Sequence, residues 1–83
     1  MVADANRFIA RINPFTGRLT VVDTVGLAWI QVATRYYTCG YYGIYFGLED
    51  KRFVVMRKGE KLEETDTFAH ACDIVFNDYI RGL

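Results

Sequence analysis

Hydrophobic and polar positions alternate early in the chain. Arg7 to Ile12 sets Phe8, Ala10 and Ile12 on one side and Arg7, Ile9 and Arg11 on the other, the period of two that a strand requires. Asn13-Pro14-Phe15-Thr16-Gly17 is a dense turn signal, and alternation resumes over Arg18 to Val22. Together they predict a β-hairpin. From Asp23 the spacing changes. Asp23 or Thr24 serves as an N-cap, and Val25, Ala28, Trp29, Val32, Ala33 and Tyr36 recur at helical intervals. Gly40 stands where a terminating glycine belongs. This spacing predicts a first helix within residues 24–38.

The second half reads similarly, with one strand more. Tyr41 to Leu48 predicts a strand, Glu49-Asp50-Lys51 a turn, and Arg52 to Lys58 the next strand. A turn at Lys58-Gly59-Glu60 leads into a short strand over Lys61 to Thr65. Asp66 or Thr67 then caps a final helix with the apolar stripe Phe68, Ala71, Cys72, Val75 and Tyr79, ended by Gly82. Arg7-Phe8-Ile9 and Arg52-Phe53-Val54 open corresponding hairpins. A shift of 43 residues aligns Leu19 with Leu62, Asp23-Thr24 with Asp66-Thr67, Ala28 with Ala71, Val32 with Val75, and Tyr36 with Tyr79. The pattern is compatible with an internal duplication.

The expected fold is therefore α+β, a small two-layer sandwich of order ββα-βββα. Residues 7–38 form the ββα unit and 41–81 the βββα unit of one domain spanning 1–83. Five strands at ~4.8 Å make a sheet about 24 Å wide, and two helices cover one face of it. The other face is left open.

Composition supports a folded core. The chain has 83 residues, 52% hydrophobic and 16% aromatic, with a single proline, too apolar for a disordered tail. Ten basic residues balance ten acidic ones, so bulk charge excludes both an acidic nucleic-acid mimic and a DNA-coating protein. Residues 1–42 carry four basic and two acidic side chains, and residues 43–83 carry six and eight. Met1 to Asn6 does not read as a signal peptide and no run is long and apolar enough to span a bilayer. Cys39 and Cys72 are expected to be free thiols in a reducing, cytoplasmic setting.

Candidate chemistry is sparse. His70, Cys72 and Asp73 invite a metal or acid–base reading, but His70 and Cys72 point about 200° apart on a helix and Cys72 falls on the apolar stripe. His70 is expected at the surface beside Asp66 or Asp73. Asp66 reads as a cap, and Glu63-Glu64 as charges guarding a sheet edge. No phosphate loop, Ser–His–Asp set or Cys-x-x-Cys pair is present. The expectation is a non-enzymatic protein with no catalytic residue, metal or cofactor.

Binding is placed on the open face. Tyr42, Ile44, Phe46 and Leu48 form the row under the helices, so Tyr41, Gly43, Tyr45 and Gly47 face outward. The same phase sends Arg7, Arg11, Arg18, Arg52, Met56 and Lys58 outward with Tyr41 and Tyr45. These eight side chains are the candidate partner-binding residues. The predicted first helix, apolar nearly all round through Leu27, Ile30 and Tyr37, is a second candidate surface. A protein partner ranks ahead of nucleic acid: arginine-edged aromatic patches suit interface centres, while the alternative has arginines holding phosphates and tyrosines stacking bases. A homodimer is compatible with either, and no membrane role is expected.

Two resemblances bear on this. Residues 24–81, read as α-β-β-β-α, resemble the double-stranded-RNA-binding domain in element order. That family opens its second helix with lysines, where this chain has Asp66-Thr67-Phe68-Ala69-His70, so the likeness implies topology and not RNA binding. In kind, the chain also resembles the small non-enzymatic inhibitors that phages and mobile elements make against host defences, anti-CRISPR proteins among them. That likeness implies stoichiometric occupation of a protein surface.

Overall fold

Turn chemistry sets the path of the chain. In the computed structural model, which describes residues 7–24 and 26–82, six reversals fold seven strands into one antiparallel meander. The strands are β1 (Phe8–Ile12), β2 (Leu19–Asp23), β3 (Ala28–Ala33), β4 (Tyr36–Cys39), β5 (Tyr42–Gly47), β6 (Arg52–Arg57) and β7 (Glu60–Thr65). One helix, α1 (Phe68–Arg81), follows them. The Asn13 side chain accepts hydrogen bonds from the Phe15 and Thr16 amides at 2.8 and 3.3 Å, fixing the first turn. Lys58 and Gly59 both have positive φ, 52° and 81°, the two-residue turn that suits the twist of a hairpin.

The sequence expectation of five strands and two helices is corrected here. Residues 28–33 and 36–39 are strands, not a helix. Val25, which began the expected helical stripe, and the segment Met1–Asn6, which does not read as a signal peptide, lie outside the described residues. The reason for the difference is physical. Trp29 and Gln31 face one side of β3 while Ala28, Ile30 and Val32 face the other, so an apolar outer row hides the period of two. The segment is also dense in Val, Ile, Thr, Tyr and Trp, which pack well on a pleated surface and lose side-chain freedom in a helix. Without a first helix the offset of 43 aligns strand residues with helix residues, and both the duplication and the RNA-binding-domain topology fall. The hairpins at the two ends of the sheet and the final helix stand as expected. Thr67 Oγ1 caps α1 by accepting from the His70 amide at 3.1 Å.

A single helix covers a seven-stranded sheet only if the sheet curls. Phe68, the first residue of α1, lies 5.4 Å from the Phe8 ring on β1, 5.2 Å from Tyr37 on β4 and 6.0 Å from Phe53 on β6. In a flat sheet β1 and β6 would stand about 24 Å apart. The strands therefore wrap α1, and Trp29, Tyr42, Ile44, Val55, Ala71, Cys72 and Val75 form the buried core between them. Trp29 is fully buried, from strand β3. The curl is tied to α1 at two points, Asp73 and Asp78. Arg7 donates to both oxygens of Asp23 on β2 at 2.9 and 3.0 Å and to Asp73 on α1 at 2.6 Å. Tyr42 Oη donates to Asp78 at 2.7 Å, and Arg57 grips the same carboxylate at 2.8 and 3.0 Å.

Candidate functional site on the convex sheet face

Pairing register determines which side chains share a face. Cross-strand partners run Arg11–Thr20–Ile30–Thr38–Gly43–Met56–Lys61 over all seven strands. Beside this row lie Tyr36–Tyr45–Val54–Glu64 and Ile9–Val22–Ala28. These rows alternate with those holding Trp29, Ile44 and Val55, so they form the convex face, away from α1. No second layer of described residues covers it. Ile9, Ile30, Val32, Tyr36 and Tyr45 are all more than a third exposed there. Tyr36 lies across Gly43, where an added Cβ would come within 3.0 Å of its ring, and stands 6.1 Å from Tyr45. The glycine thus lets one tyrosine lie flat on the sheet and support the other.

Of the eight residues expected on this surface, Arg11, Tyr45, Arg52 and Met56 stand on it by register. Arg18 precedes β2, in the cleft between the first hairpin and the β3–β4 turn. Tyr41 and Lys58 do not belong to it. Tyr41 precedes β5, stacks on Tyr42 at 4.9 Å and carries the Lys58 ammonium 5.0 Å above its ring, beside the C-terminal end of α1. Arg7 also leaves the face. Its side chain is only 12% exposed because Asp23, itself 2% exposed, and Asp73 draw it to the helix side. Those carboxylates hold its pKa above the usual arginine range, Asp23 contributing most.

The electrostatics are mostly settled within the chain. Arg52 pairs with Asp66 at 2.6 Å and Glu64 at 3.5 Å, and Lys61 also pairs with Glu64. Arg11 and Arg18 have no acidic partner among the described residues, and they lie at the corner formed by β1 and β2. The expected second surface dissolves with the first helix: Ile30 faces outward, while Leu27 and Tyr37 pack against the core. Sequence reasoning treated Phe15 as a turn residue only. It is 95% exposed at the tip of a hydrogen-bonded hairpin, next to the exposed Ile12, and its sole signal was a large apolar residue inside a turn motif.

Other chemical groups are accounted for by structure. His70 Nδ1 lies 2.6 Å from Thr65 Oγ1 and not against Asp66 or Asp73, which Arg52 and Arg7 engage. Cys72 is buried in the core, which pushes its thiol up to about 12, and burial raises Cys39 as well. Among the described residues no group of three His, Cys, Asp or Glu side chains converges as a metal site, and no helix is long and apolar enough to cross a membrane. Comparison with protein-family models, curated proteins and solved structures returns no match.

Proposed function

We infer that the protein is a non-enzymatic binding module that holds a protein partner on the convex face of its sheet. The observation that carries this reading is the set of exposed apolar side chains Ile9, Ile30, Val32, Tyr36 and Tyr45 on the face of the sheet that does not pack on α1. Contiguous apolar surface of this kind marks interaction sites in soluble domains. The charges favour a protein over nucleic acid. A phosphate-binding surface needs free cations spaced along the backbone path. Of the five basic residues expected on this face, Arg7 and Arg52 are engaged by carboxylates and Lys58 by Tyr41, leaving Arg11 and Arg18 at one corner. A stoichiometric inhibitor of a host-defence protein would work through such a face, and a second copy of the chain is the other protein occupant it would suit.

The experiment compares the parent with Ile30→Asp and Tyr45→Ala. The face is mapped by photo-crosslinking from position 36, and binding to the crosslinked partner is then measured after that partner has been purified. Each substitution should weaken binding by roughly 1–3 kcal/mol with the melting temperature nearly unchanged. Sedimentation of the isolated protein reports the self-association arm. If both variants bind as tightly as the parent, the convex face is not the site. Tight binding to duplex DNA that falls steeply between 50 and 200 mM salt would overturn the protein reading.

A further inference from the structure

The opposite side of the sheet holds a second feature, where the curled strands meet the start of α1. Phe8, Val21, Tyr37, Phe53 and Phe68 line a cleft of about 280 Å³. Arg35, Tyr37, Phe46 and Phe53 line a second of the same volume. Tyr37 and Phe53 line both, so the two adjoin as lobes of an aromatic trough. Its walls are well ordered by ring contacts, with Phe46 4.9 Å from Phe53 and Phe68 packed edge-on to the buried Trp29 at 6.3 Å. Each lobe is close to the lower size of a small-ligand pocket, roughly 300 Å³.

The polar character of the trough is one-sided. No carboxylate lines either lobe. Arg35 has no acidic partner among the described residues and stands at the β3–β4 turn with φ of 60°, a left-handed conformation that disfavours a non-glycine residue. Its carbonyl accepts from the Phe46 amide at 3.0 Å, which anchors the turn over the trough. The first turn of α1 carries no acidic side chain, and Phe68, its first residue, forms one wall. Asp66, just before the cap, is already engaged by Arg52.

We propose that this trough is a binding site for a small apolar monoanion, an alkyl or aryl carboxylate, with its hydrocarbon body between Tyr37, Phe53 and Phe68 and its carboxylate at Arg35. Aromatic walls take a ring or short chain without needing a hydrogen bond, and the guanidinium of Arg35 selects the sign of the head group. The site lies on the face opposite Tyr36, Ile30 and Tyr45, so it stands or falls independently of the partner surface.

The test titrates the intact protein with octanoate, octanol and octylammonium, following amide chemical shifts and Trp29 fluorescence. Octanoate should bind saturably and on the order of tenfold more tightly than octanol, the worth of one charge-assisted hydrogen bond. Shifts should centre on Phe8, Val21, Tyr37, Phe46, Phe53 and Phe68. Arg35→Gln should remove the preference for octanoate and leave octanol binding unchanged. Arg35→Gly should raise the melting temperature while also removing that preference. Ile30→Asp should bind octanoate as the parent does, which separates this site from the convex face. The proposal is overturned if octanol or octylammonium binds as tightly as octanoate, if Arg35→Gln leaves octanoate affinity unchanged, or if no saturation occurs up to about 10 mM, a weak limit even for an eight-carbon ligand.

Discussion

Replacing Arg7 with methionine separates two roles for this residue: a contact on an open face, and a clamp that holds the curled sheet on its helix. The geometry gives the expected magnitude. Arg7 is 12% exposed and meets Asp23, 2% exposed, through two hydrogen bonds, while its third bond reaches Asp73, which is about half exposed. Methionine retains the apolar stem near Phe8, whose ring centroid lies 5.3 Å from the guanidinium carbon. What is lost is the guanidinium beside a buried carboxylate, and breaking such a pair from one side costs ~3–5 kcal/mol. Because Asp73 is half in water, the lower end applies, about 3 kcal/mol. For a domain of this size that is a fall in melting temperature of roughly 12–24 °C. Thermal and urea denaturation followed by circular dichroism would measure it. Asp23→Asn in the Arg7→Met background should add little, since the two changes remove one interaction. A loss below about 1 kcal/mol, or losses that simply add, would refute the clamp and return Arg7 to the surface.

Three further outcomes follow from the same geometry. Asp78 is held below the usual carboxylate range, first by the Tyr42 hydroxyl and then by Arg57. A carboxyl depressed on folding contributes stability that is present above its unfolded pKa and lost as pH falls through the folded one. Asp78→Asn should therefore flatten the acid limb of a melting-temperature profile taken downward from about pH 5, and an unchanged limb would exclude this contact as its source. Cys72, its thiol pushed up to about 12 by burial, should resist iodoacetamide at pH 8 in the folded protein and react once urea unfolds it, as mass spectrometry would show. Trp29→Ala should cost on the order of 3–5 kcal/mol, enough to unfold much of the population at 37 °C. A variant melting within a few degrees of the parent would place Trp29 outside the core.

Local signals in the sequence determined what rests on neighbours in the chain. Asn13 to Gly17, Lys58-Gly59 and Thr67 carry turn and cap chemistry that works within a few residues, and each falls where the pattern put it. The phase of Tyr42 and Ile44 was legible for the same reason, since alternation along one strand assigns a face without knowledge of the partner strand. The identity of residues 28–39 was not legible. Ile30 and Val32 point away from the core, and only the meander, by giving them an uncovered convex face, makes their hydrophobicity compatible with a strand. The same holds for the candidate sites. Arg7, just before β1, has the alternation phase of the outward Ile9 and Arg11 but is pulled to the helix side by Asp23 and by Asp73, 66 residues away. Phe8, Tyr37, Phe53 and Phe68 are scattered through the chain and meet only because seven strands curl round one helix. Periodicity assigns faces element by element, whereas curvature decides which faces meet and which charges find partners, and curvature is a property of the whole packed sheet.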